Sequence, residues 1–129
     1  MAEMYNEGLA GRRLMVVEDE FIVAMDLASR LEDLGAEIVG PAGTVEDALA
    51  LVETQGGRLD GAVLDINLHG ARVYPVADRL AALGLPFVFT TGYDALVLPP
   101  AYAGMPRFEK PINVAALARS LAAGTAPTR

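Results

Sequence analysis

"RLMVVEDE", residues Arg13 to Glu20, is the stretch on which the reading of this chain turns. A short, Val-rich apolar run stops abruptly in three consecutive carboxylates, Glu18, Asp19 and Glu20. The run has the character of a strand buried on both faces. Adjacent acids at the tip of such a strand are opposed both by mutual repulsion and by loss of hydration.

Outward from that run, "EIVGPA" (Glu37 to Ala42), "GAVLDI" (Gly61 to Ile66) and "PFVFTT" (Pro86 to Thr91) repeat the same apolar character, and a short fifth strand fits around Arg107 to Glu109. Helical spacing fills the intervals. Residues from about Glu20 to Leu34 carry Val23, Leu27, Leu31 and Leu34 and stop at Gly35, a good terminating residue. Thr44 is an N-cap for a helix to about Thr54, with Glu46 and Asp47 near its positive end. A third helix runs from about Val73 to Leu83, with Pro75 tolerated only in its first turn. A last one spans about Asn113 to Ala122. Strand and helix alternate, which argues for a parallel sheet covered on both faces. The interval from Thr91 to Lys110 departs from this pattern. It holds Gly92, Pro99, Pro100, Gly104 and Pro106, so a turn or loop is expected in place of a full fourth helix.

In a parallel sheet, residues just past the strand ends collect along one edge, where open α/β folds bind ligands. Glu18 and Asp19, Asp65, Thr91 and Lys110 occupy those positions. Three carboxylates gathered within about 5 Å repel by roughly 3 kcal/mol per pair at an effective dielectric near 20, so the cluster calls for a cation. Mg²⁺ suits an all-oxygen donor set and often sits beside phosphate. With Lys110 opposite, such a site neutralises a phosphoryl group arriving at Asp65, whose carboxylate acts as nucleophile, and Thr91 hydrogen-bonds a phosphoryl oxygen. Each residue alone has a plainer reading. Asp65 fits a turn or helix cap, Glu18 and Asp19 fit acids at a helix N-terminus, and Lys110 fits a solvated charge. The combination at separate strand ends is what favours the site.

At 129 residues the chain suits one domain. A hydrophobic share of 53% with 21% charged residues is globular. A formal charge of −7 disfavours binding to a phosphate backbone, which depends on Lys and Arg. The absence of cysteine excludes disulfides, thiolate metal sites and Cys nucleophiles. The first eleven residues carry acids and no basic leader region, and no apolar run is long enough to span a bilayer. Neither secretion nor membrane insertion is therefore expected; the expected location is the cytoplasm.

These residues resemble the receiver domain of two-component response regulators, CheY-like in type, over nearly the whole chain, through "RLMVVEDE", "GAVLDINL", "PFVFTTGYD" and "FEKPI". The resemblance implies a flavodoxin-like, doubly wound five-stranded sheet of order 2-1-3-4-5 and a cis Lys110–Pro111 bond. It implies that Asp65 accepts phosphate from a histidine kinase or histidine phosphotransferase. Glu18, Asp19, Asp65 and the backbone carbonyl of Asn67 would bind Mg²⁺, while Thr91 and Lys110 follow and pair with the phosphoryl group. Domain limits follow as a flexible segment 1–11, a receiver domain 12–123 and a flexible tail 124–129, with no second domain. Arg107 stands where many receivers carry a switching aromatic, with Phe108 beside it. "FTTGYD" is similar to the FATGUY group of single-domain receivers, apart from Thr90 where Ala is usual. That group tends to serve HWE or HisKA2-type kinases, and its signalling is expected to be an ordering of the segment behind Thr91.

Three further residues stand out. His69, the only histidine, either tunes access to the phosphoryl group or is a solvated loop residue. Ile22 and Met25 lie off the Leu27–Leu31 face beside the site and either dock a kinase's helices or are ordinary surface residues; Met15 and Met25 also read as core or near-core filler. Two other functions share parts of the pattern. A haloacid-dehalogenase-like phosphatase uses an Asp, Mg²⁺ and a Lys, but wants a second acid where Asn67 stands. A pseudo-receiver would bind a partner without phosphorylation and leave the acid cluster unused.

Overall fold

The computed structural model describes residues 8–92 and 98–124. The opening apolar run forms β1 (Arg13–Val17), followed by α1 (Phe21–Asp33), β2 (Glu37–Ala42), α2 (Val45–Gln55) and β3 (Gly61–Asp65). A small hairpin of β4 (Asn67–Leu68) and β5 (Ala71–Arg72) leads into α3 (Tyr74–Ala82). The chain continues with β6 (Phe87–Thr91), β7 (Arg107–Glu109) and α4 (Val114–Ala123). The main sheet is parallel throughout, in the order β2-β1-β3-β6-β7. With the hairpin set apart, this is the expected five-stranded, doubly wound, flavodoxin-like order.

Local chemistry sets the helix ends. Thr44 Oγ1 accepts the Asp47 N–H at 3.0 Å, and Asn113 Oδ1 accepts the Ala116 N–H at 3.1 Å, each satisfying a donor that the first helical turn leaves open. Pro75 sits in the first turn of α3, where its missing N–H costs nothing. Glu20 begins α1 without a side-chain cap, and no acid lies in that helix's first turn. The acids at the end of β1 are therefore not there to serve the helix from within it.

Side chains alternate across the sheet into two cores. Met15, Val17, Leu64, Phe87 and Phe89 pack under Val52 of α2 and Val76 and Leu80 of α3. Leu14, Val16, Val63 and Val88 pack against Leu27 and Leu31 of α1 and Leu117 and Leu121 of α4. The central strands β3 and β6 are buried along their whole length, which is why they read as continuous apolar runs. On β2 the pairing with β1 shifts register between Met15 and Val17. Gly40 there has φ +98°, and a Cβ on it would lie 3.0 Å from the Ala42 nitrogen and 3.2 Å from the Val16 oxygen. Only glycine meets both conditions.

Several expectations change. Leu9 is fully buried with Leu14, Leu31 and Leu121, and the Gly11 N–H donates to the Gly35 carbonyl at 2.9 Å. The packed domain therefore begins by residue 8, not at residue 12, because an apolar side chain four residues before β1 closes the gap between α1 and α4. Met25 is not core filler: it is exposed, one position off the buried stripe of Ala24, Leu27, Ala28 and Leu31. The β4–β5 hairpin was not anticipated. In the connection expected to lack a full helix, residues 93–97 lie outside the described residues. The described remainder up to β7 contains a single 3₁₀ turn, Pro100–Tyr102. Lys110–Pro111 is cis, as is Gly40–Pro41. Among the described residues no helix is long and apolar enough to cross a membrane.

Leu9→Ala is expected to lower unfolding free energy by about 2–4 kcal/mol in urea titrations, the range for truncating a buried leucine, whereas a flexible arm would leave it unchanged.

Candidate functional site

β1, β3, β6 and β7 run in one direction, so their carboxyl ends share an edge, and every residue singled out for chemistry sits there. Glu18 and Asp19 follow β1, Asp65 and Thr91 are the last residues of β3 and β6, and Lys110 follows β7. One oxygen from each of Glu18, Asp19 and Asp65 falls within 4.8 Å of the others. Lys110 Nζ lies between two of them, 2.7 Å from Glu18 Oε1 and 3.2 Å from Asp65 Oδ2. Backbone bonds fix these positions. The Glu18 N–H donates to the Ala42 carbonyl, and the Lys110 N–H donates to the Thr91 carbonyl, each at 2.9 Å. The Glu20 N–H reaches Glu18 Oε2 at 3.0 Å, so both Glu18 oxygens are engaged.

Burial dominates the electrostatics. Glu18, Asp65 and Thr91 are almost wholly buried. Desolvation pushes the Glu18 carboxyl up to about 7 against the pull of Lys110 and the Glu20 N–H, with the Asp65 charge adding to the rise. Asp65 is raised for the same reason, held back by Lys110 and Glu18. Asp19 is less buried. The desolvation it does suffer is outweighed by hydrogen bonds involving Glu18 and the His69 N–H, and its carboxyl lies below its usual value. Lys110 loses hydration, yet its contacts with Glu18 and Asp65 hold its pKa above the ordinary value. One ammonium thus serves two of the three acids directly, and a proton on Glu18 near neutrality makes up part of the deficit. A hard divalent cation fits this oxygen-only donor set better than a proton does.

The other residues fall into place around the cluster. Asn67 begins the hairpin just past Asp65; its side-chain oxygen accepts the Gly70 N–H at 2.9 Å, and its own N–H faces Asp65 Oδ1 at 3.4 Å. His69, at the hairpin tip, touches Asp19. Arg107 is exposed on β7 and Phe108 half-buried among the α1 and α4 residues. The aromatic beside β6 is instead Tyr102, buried against Phe87 and Phe89, stacked on Tyr74 and donating its hydroxyl to Asp78 of α3. Sequence reasoning missed Tyr102 because it lies five residues before the position at which an aromatic was sought.

At the start of α1, Ile22 is 76% exposed and Met25 is exposed one turn on. Phe21, overlooked in the sequence although it adjoins Ile22, is 71% exposed. A groove beside Ile22 is lined by Leu27, Pro111, Ile112 and Val114 together with the charged Asp26, Arg30 and Lys110.

No family model matches the chain. The transcriptional regulatory protein PdtaR of Mycobacterium tuberculosis is 32% identical over 84 residues, 64% of this chain and 40% of that protein. SdrG of Pseudomonas melonis Fr1, solved in its BeF3-activated conformation, is 41% identical over 88% of this chain and 96% of its own, with a TM-score of 0.71. The response regulator PhyR of Brucella abortus is 27% identical over 93% of this chain and 50% of its own, with a TM-score of 0.76. The chain spans about two-fifths of the length of the curated relatives it matches.

The Glu18 shift fixes a pH dependence for the metal-free protein. An acid at 4.5 when unfolded and about 7 when folded binds more protons in the native state between those values, so stability falls as pH rises through that window. The rise at Asp65 acts in the same direction. The thermal midpoint in a chelator is expected to drop by about 5 °C between pH 5 and 8, and Glu18→Gln to remove most of the drop, as read by circular dichroism.

Proposed function

The chain belongs to the receiver-domain family of response regulators, and we propose that within it the chain takes a phosphoryl group onto Asp65 from a histidine kinase or histidine phosphotransferase and relays the signal by protein contact. The observation that carries this reading is the Lys110 ammonium bridging Glu18 and Asp65 beside three clustered carboxylates. An isolated carboxylate repels a phosphoryl group; one flanked by a fixed cation and a cation-binding acid pair can receive it.

The Asp65 carboxylate supplies the electron pair for a new O–P bond as the P–N bond of a phosphohistidine breaks, and that bond's electrons return to the imidazole nitrogen of the donor. The product is an acyl phosphate on Asp65. Lys110, anchored by its backbone to Thr91, balances charge on the phosphoryl oxygens, and Thr91 donates its hydroxyl to one of them. Glu18, Asp19, Asp65 and the backbone carbonyl of Asn67 are the groups that would hold Mg²⁺. When bound, the ion supplies charge neutralisation at the transferring group. Attack of water on phosphorus later restores Asp65, a slow self-dephosphorylation without turnover of an external substrate. SdrG was solved in a BeF3-activated conformation, and a beryllofluoride group on a carboxylate mimics an acyl phosphate, which supports the same chemistry here.

The partner surface follows from position. Phe21, Ile22 and Met25 are apolar and exposed at the start of α1, and the groove beside them, lined by Ile22, Leu27 and Ile112 with Asp26, Arg30 and Lys110, offers a donor's helix a mixed apolar and charged seat next to Lys110. With a partner of that class the chain works in the cytoplasm. The phosphatase alternative finds no support in the site, because Asn67 offers no proton and its amide closes the hairpin turn.

Incubation with acetyl phosphate and Mg²⁺ is expected to label the chain with one phosphoryl group, read by mass spectrometry on intact protein. Asp65→Asn abolishes labelling, and Lys110→Ala slows it by about 10²-fold, the scale for removing a preorganised charge partner. Continuous hydrolysis of a small phosphate ester would show a phosphatase instead. A chain that no phosphodonor labels would be a binding module.

A further inference from the structure

β4 and β5 pair antiparallel, Asn67 opposite Arg72 and Leu68 opposite Ala71, which leaves His69 and Gly70 as a two-residue turn. Both have positive φ, +52° and +92°, the combination whose twist suits a tight hairpin. Gly70 adopts it freely. His69 is the one non-glycine described residue with positive φ, a conformation costing roughly 1–2 kcal/mol for a residue with a Cβ. That conformation aims the His69 N–H at Asp19 Oδ2, 2.8 Å away across 50 residues of sequence, and brings the imidazole Nδ1 to 3.2 Å from the same oxygen. The turn itself is closed by the Gly70 N–H on Asn67 Oδ1, and the base of the hairpin faces Asp65. One small element therefore touches both the acid after β1 and the acid ending β3.

A carboxylate free to rotate must be ordered when it takes up an ion, whereas one held at one oxygen by a backbone N–H, with an imidazole nitrogen against the same oxygen, already presents the other. We propose that His69 is a positioning residue, its imidazole and backbone N–H fixing Asp19 as a ligand for the divalent cation. This rests on the reading of Glu18, Asp19 and Asp65 as a metal site. Outer-shell partners of metal ligands typically change affinity by 10- to 100-fold when removed, and a largely exposed imidazole belongs at the lower end.

The test uses His69→Gly, which keeps the backbone N–H and the positive φ but removes the ring, and His69→Asn, which tolerates that conformation and restores a side-chain donor. Mg²⁺ affinity is measured by calorimetry and, with Mn²⁺ as probe, by paramagnetic resonance. His69→Gly is expected to weaken binding about tenfold and His69→Asn to recover most of it, while metal-free melting temperatures stay within about 2 °C of one another. Unchanged affinity in His69→Gly overturns the proposal. Equal weakening in both variants with lowered melting temperatures also overturns it, because the role would then be structural. If the wild type itself binds neither ion, the metal reading fails, and the positioning role falls with it.

Discussion

The edge of the sheet is governed by the crowding of Glu18, Asp19 and Asp65, with the Lys110 ammonium set between Glu18 and Asp65. Burying these carboxylates is unfavourable on its own, and the pKa values of Glu18 and Asp65, raised first by desolvation, record that cost. The two apolar layers supply what holds them there. Phe87, Phe89, Leu64 and Met15 on one face, and Val16, Val63, Leu31 and Leu117 on the other, hold β1, β3 and β6 in register. The acids have no freedom to separate once the strands are packed.

That arrangement makes the edge receptive. Surplus negative charge beside a single fixed ammonium at a buried edge favours an additional cation. Lys110 is tied at its backbone to Thr91 and at its side chain to Glu18 and Asp65, so a change at Asp65 bears on β6 and β7 together. Tyr102 fastens the connection between those strands to α3 through Asp78. Arg107, at the position where many receivers carry an aromatic, offers no ring; the described ring cluster beside β6 is that of Tyr102, Phe89 and Tyr74.

The hairpin after β3 refines the picture. A two-residue turn places a backbone donor and an imidazole against Asp19 with little cost in length, and it uses the residues just past Asp65 to do so. Local backbone geometry in that turn thereby bears on the acid that ends a different strand.

The amino-acid order by itself determined the alternation of strands and helices, because burial on both faces produces unbroken apolar runs and helix ends demand Thr44, Gly35 and Asn113. It also determined which residues would meet, since a parallel sheet sends every strand's carboxyl end to one edge. Only the tertiary structure decided the rest. Leu9 is core because α1 and α4 leave a gap that its side chain fills, a fact invisible in a segment without periodicity. His69 bears on Asp19 because two positive φ angles turn the hairpin toward β1, and Phe21 is exposed because the buried stripe of α1 begins at Ala24. Each of these depends on contacts between residues far apart in the chain, and pattern read along one segment carries no record of them.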